Sequence, residues 1–131
     1  MLVGRFVTRQ AEPGVTVVEC SGQLTLGNTL SEIEHGIKQL IEQGSKKLVL
    51  DLTRVSFIDS AGAGTLAFCG GWMERSGGWL VICGASGKVK QTLELVQLDR
   101  VVGMYPDVSS ACSALGKVAG STAPEVPQAP S

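Results

Sequence analysis

Apolar positions in this chain switch between a period near two and a period near 3.6. Leu2 to Thr8 and Val15 to Ser21 (VTVVECS) are rich in β-branched residues and read as two strands. Glu12, Pro13 and Gly14 form the turn that lets them pair. Leu30, Ile33, Ile37, Leu40 and Ile41 then recur at helical spacing, with Glu34, Lys38 and Glu42 on the opposite face. Thr29 and Glu32 have the spacing of a capping box at its start, and Gly44 marks its end. Lys47 to Leu52 (KLVLDL) is too apolar for a half-exposed strand and reads as a buried central one. After a serine- and glycine-containing stretch, Thr65 to Arg75 reads as a second helix, weakened by Gly70 and Gly71. Trp79 to Cys83 is another buried strand. Ser86 is placed to cap a helix carrying Val89, Leu93 and Val96. Arg100 to Met104 reads as a last short strand, and Asp107 as the cap of a final helix through Val108, Ala111, Cys112 and Leu115.

Strand–helix alternation from Val15 onward predicts an α/β fold: a mixed sheet of four to five strands with about four helices and right-handed crossovers. One domain is expected over 1–117. The Pro/Ala/Ser-rich segment 118–131 is expected to be a disordered tail.

Composition narrows the function classes. Hydrophobic residues make up 44% and charged residues 18%, enough for one packed core, while aromatics at 5% leave that core to Val, Leu, Ile and Ala. Eleven basic and 12 acidic residues nearly cancel, and no run of like charge draws the chain to nucleic acid or an anionic membrane. The four cysteines share no C-x-x-C spacing and lie in apolar stretches, which predicts buried thiols in a reducing compartment and no zinc site. Every apolar run is shorter than a membrane span, and the N-terminal residues carry no leader pattern, so a soluble cytoplasmic protein is expected.

Several chemical signals fall away. Gly84-Ala85-Ser86-Gly87-Lys88 resembles a phosphate loop, but Ile82 stands where the first glycine is needed and Val89 where a metal-holding hydroxyl is needed. It fails as a nucleophile elbow too, because Lys88 replaces the closing glycine. His35, the single histidine, sits among Glu32, Glu34 and Lys38 and reads as part of a solvated helix face. Asp51 reads as a carboxylate satisfying turn amides. Trp72 and Trp79 suit a core or rim role better than a binding patch. No catalytic constellation, metal set or cofactor motif emerges, so no enzyme is expected.

The unusual stretch is Phe57-Ile58-Asp59-Ser60-Ala61-Gly62-Ala63-Gly64. One reading is structural: Asp59 or Ser60 caps the next helix, and the glycines serve a tight turn and close packing. The other is functional. A serine between a strand end and a helix start is exposed at the sheet edge, where sites in α/β folds collect. A phosphate there would add about −1.5 to −2 charge units beside Asp59 and would repel an acidic partner.

With Ser21-Gly22-Gln23-Leu24 after the second strand and Leu50-Asp51-Leu52-Thr53-x-Val55-x-Phe57-Ile58-Asp59-Ser60-x-Gly62-x-Gly64 after the third, the chain resembles the STAS domain, most of all the bacterial anti-sigma factor antagonists. The likeness runs from about Val3 to about Leu115. It implies a protein whose unphosphorylated form binds an anti-sigma factor that is also a GHKL-type serine kinase, freeing a sigma factor. Phosphorylation at Ser60 would end that binding, and a PPM-type phosphatase would restore it. Asp59 and Ala61 would surround the phosphoacceptor, Gly62 and Gly64 would admit close backbone approach, and the helix to Arg75 would form part of the docking face. Two departures stand out. Gln23 and Thr25 replace acidic residues that many relatives carry in that loop. Ala61 replaces a common hydroxyl, leaving Ser60 as the motif's one hydroxyl before Thr65. The alternatives are an unmodified STAS subunit of a lipid-transport or scaffold complex, with Ser60 as a helix cap, and a small-molecule binder using the glycine-rich turn.

Overall fold

The computed structural model describes residues 4–12 and 14–116. The expected tail, and the parts of the first strand and turn at Leu2, Val3 and Pro13, lie outside them. Five strands form one mixed sheet in the order β1 to β5: β1 (Gly4–Glu12), β2 (Val15–Leu24), β3 (Lys47–Ile58), β4 (Trp79–Cys83) and β5 (Gly103–Tyr105). β1 runs antiparallel to β2, and the remaining pairs are parallel. The connecting helices are α1 (Asn28–Glu42), α2 (Ser60–Arg75) and α3 (Gly87–Leu95), and α4 (Val108–Gly116) follows β5.

Strand order equals chain order, so crossovers of one hand must place their helices on one face. Leu30, Ile33 and Ile37 of α1, Leu66 and Met73 of α2, and Val89 and Leu93 of α3 share one core with Leu48, Leu50, Leu80 and Ile82 of the sheet. The alternate strand residues Val15, Val17, Val49, Val81 and Cys83 point the other way and are covered by Ala111, Cys112 and Leu115 of α4. The four cysteines lie buried in these two cores, as their apolar surroundings predict.

Four details differ from the sequence reading. β3 does not stop at Leu52 but runs to Ile58, with two irregularities in its register against β2. Each adds a residue, so the buried side chains Leu52, Val55 and Ile58 fall three apart and the period-two signal is lost. α2 begins at Ser60, five residues before the expected Thr65, because Asp59 caps it. The capping box at Thr29 and Glu32 does not form: α1 starts at Asn28, and its cap position is Gly27. The last strand starts at Gly103, after a 3₁₀ turn over Leu98–Arg100. The stop at Gly44 is as expected: it takes φ +91°, and Ser45 N–H donates to the Leu40 carbonyl at 2.9 Å, closing a Schellman-type end.

Candidate functional site

β2 and β3 end abreast, with Leu24 beside Ile58. Asp59 follows in extended conformation and ties four backbone groups together. One carboxylate oxygen, Oδ1, accepts from Gly62 N–H at 2.7 Å, and Oδ2 accepts from Leu26 N–H at 3.1 Å. Its own N–H donates to the Leu24 carbonyl at 3.3 Å, and its carbonyl accepts from Ala63 N–H at 3.0 Å. The Gly62 N–H, helped by that of Leu26, holds the Asp59 carboxyl below the usual carboxylate range. This side chain is a helix cap and a clasp on the β2–α1 loop, not merely a charge beside Ser60.

Ser60 is the exposed first residue of α2. Thr25, half-buried, precedes Leu26, whose N–H the Asp59 carboxylate holds. Ala61 is half-buried and packs against the first core. The two glycines part company. A Cβ on Gly62 would run into the Leu24 carbonyl oxygen and come within 2.7 Å of Ile58 Cγ1, so Gly62 exists for close packing of α2 on the end of β2. Gly64 is exposed, with open space around its Cβ position, and there the expected approach to backbone is unobstructed.

Ser60, Gly64, Phe68 and Trp72 follow one another at intervals of four and form one ridge along α2. Phe68 is 49% exposed, and its ring lies 5.4 Å from that of Trp72. Leu26, 82% exposed, lies in the β2–α1 loop that Asp59 holds, and Phe57, 45% exposed, lies on β3 two residues before Asp59. The sequence reading missed Phe68, Leu26 and Phe57. The spacing of eight from Ser60 was the available signal for Phe68. Exposure of Phe57 depends on the register irregularities in β3, which no local pattern announces.

The remaining candidates are structural. Asp51 Oδ1 accepts from the Thr53 N–H at 3.0 Å and from the Thr53 hydroxyl, satisfying backbone where β3 loses register with β2. His35 is exposed on α1. Among the described residues no group of three His, Cys, Asp or Glu side chains could hold a metal ion, and no helix is long and apolar enough to cross a membrane.

Fold and site together define a single-sheet α/β domain whose distinguishing surface is a carboxylate-capped, serine-headed helix at the C-terminal edge of β3. The STAS domain family profile matches residues 7–111, and the chain belongs to that family. A Thermotoga maritima protein provisionally named an anti-sigma factor antagonist is 32% identical over 73 residues, 56% of this chain and 65% of the relative, so the match spans just under two thirds of that protein. The crystal structure of an anti-sigma factor antagonist from Mycobacterium paratuberculosis superposes with a TM-score of 0.75 at 24% identity, covering 87% of this chain and 95% of that one. The Bacillus cell fate determinant SpoIIAA in its phosphorylated form gives 0.65 at 20% identity, over 83% and 97% of the two chains. At these identities the solved structures speak to the fold alone.

Proposed function

We propose that this protein is an anti-sigma factor antagonist whose partner binding is switched off by phosphorylation of Ser60. The observation that carries the reading is the position of Ser60: exposed, at the head of the open Gly64–Phe68–Trp72 ridge, and directly after a carboxylate already bound to the helix-start amides. The unphosphorylated ridge offers a partner a bare backbone at Gly64 and an apolar surface at Phe68 and Leu26. Phosphate on Ser60 adds about −1.5 to −2 charge units at the edge of that surface. Asp59 already occupies the Gly62 amide, so the phosphate has a like charge beside it instead of a free anion site. Facing outward, it meets the partner. The Thermotoga maritima relative, provisionally named an anti-sigma factor antagonist, is in keeping with the antagonist part of this reading.

In this scheme the partner is an anti-sigma factor that is also a GHKL-type serine kinase. It transfers the γ-phosphoryl group of ATP to Ser60 Oγ, and a PPM-type phosphatase hydrolyses it off again. Intact-mass analysis of protein from its own host tests the switch. A fraction heavier by one phosphate, absent in Ser60→Ala, is expected. In pull-down, Ser60→Ala should hold the kinase constitutively and Ser60→Asp should bind at least about tenfold more weakly, about 1.4 kcal/mol. Equal binding by wild type and Ser60→Asp overturns the charge mechanism.

A further inference from the structure

The Asp59 carboxylate stands one residue before Ser60 and commits its two oxygens to different parts of the chain. Oδ1 holds the start of α2 through the Gly62 N–H at 2.7 Å, and Oδ2 reaches across to the β2–α1 loop through the Leu26 N–H at 3.1 Å. The two ends of that loop are fixed unequally. Leu24, fully buried, closes β2 beside Ile58 and is closely approached by Gly62 of α2. α1 begins at Asn28, and its cap position, Gly27, makes no side-chain capping bond. Between them Leu26 carries an apolar side chain that is 82% exposed. Such a side chain serves a partner best when its backbone is already held, because ordering a free loop on binding costs entropy.

A phosphate on the Ser60 hydroxyl would bring about −1.5 to −2 charge units to the residue next to this carboxylate, and like charges so close repel. The two bonds of Asp59 do not resist that repulsion equally. The Gly62 bond is the shorter, and it lies at a helix start, where the partial positive charge favours an anion. The Leu26 bond is longer and belongs to an exposed loop residue. Leu26 is therefore the partner that a displaced carboxylate gives up first.

We propose that Asp59 is a positioning residue that couples Ser60 to the β2–α1 loop: phosphate on Ser60 turns the carboxylate off the Leu26 N–H while leaving it on that of Gly62, and the loop no longer holds Leu26 in place. This inference rests on Ser60 being the phosphoacceptor, and it adds a second effect to the switch. Charge alone repels a partner at the head of α2. Loss of the clasp also unsettles an apolar contact on a loop from the other side of the β2–β3 pair.

Full-length ¹⁵N-labelled protein with phosphoserine installed at Ser60 during translation tests this without the host kinase. The Leu26 amide should exchange with water about tenfold faster than in the unmodified protein, while the Gly62 amide keeps its rate. Asp59→Asn isolates the clasp, because its one side-chain carbonyl can still cap Gly62 but its NH₂ group cannot accept from Leu26. Leu26 should exchange about tenfold faster in Asp59→Asn with no phosphate present, and phosphoserine in that background should add nothing further. The amide spectrum itself reports whether the variant is folded. An unchanged Leu26 rate on phosphorylation, or an equal effect of the phosphate with and without the Asp59 carboxylate, would overturn the inference. Loss of the partner on phosphorylation with Leu26 still held would leave the phosphoswitch standing and overturn only the coupling. Release of Leu26 with undiminished partner binding would do the reverse.

Discussion

At the scale of single residues, two glycines two positions apart in α2 predict opposite outcomes. Gly64→Ala adds a methyl into open space on a helix and should stabilise the protein by up to about 1 kcal/mol. Gly62→Ala forces a Cβ into the Leu24 carbonyl and should destabilise it by about 1–3 kcal/mol. Urea unfolding of both variants checks the pair, and equal effects would contradict the packing assigned to Gly62. Asp59→Asn tests the clasp through pH. The folded-state pKa of Asp59 is depressed, so its contribution is present above the unfolded value of about 3.9 and is lost as pH falls through the folded value. The stability gap between wild type and Asp59→Asn should therefore be widest near neutrality and should close in acid. The cap at Asp59 was legible in the sequence as one of two readings, because Asp before a helix is a local signal. Its second bond, to Leu26 thirty-three residues away in the chain, was not, since only the parallel pairing of β2 and β3 brings the two together.

Elements were legible where their apolar period was unbroken. α1 showed its face through Leu30, Ile33 and Ile37, and β4 is a short unbroken apolar run, so both came out as expected. β3 did not, because its buried residues beyond Leu50 obey neither a two- nor a 3.6-residue rule once the register slips. α1 began earlier than its capping signal suggested, since Gly27 can take the positive φ of +141° that a branched residue at that point could not easily adopt. At this scale α4 makes the sharpest prediction. Among the described helices it alone covers Val15, Val17, Val49 and Val81, and Leu115 is fully buried there. Leu115→Ala should cost about 2–5 kcal/mol, with a matching drop in the urea midpoint.

Over the whole molecule, two cores of unequal size enclose one sheet. The larger holds Cys20 and Cys69, and the smaller holds Cys83 and Cys112. Burial pushes the thiols of Cys20, Cys69 and Cys83 up to about 12, so they carry almost no thiolate near neutral pH. Iodoacetamide at pH 8 should label these three only as fast as the fold opens, and labelling should become rapid in urea. Rapid labelling of the native protein, mapped by peptide mass, would contradict the packing of both cores. The alternation of strands and helices was enough to anticipate the sheet. The placement of the crossover helices α1, α2 and α3 on one side follows from strand order, which only the fold reveals, and α4 takes the other side.

That allocation has a consequence during synthesis. The apolar stripe of Val15, Val17, Val49 and Val81 is complete once β4 has been made, but its cover is the last of the described elements in the chain. At about 5–20 residues per second, the ribosome leaves that stripe bare for a few seconds before α4 exists to close it. The nascent chain thus passes through an interval in which a half-covered sheet is sticky, and a slow codon between β4 and α4 would lengthen it. A chaperone that cradles bare apolar surface would find its moment here, and not at the hairpin of β1 and β2.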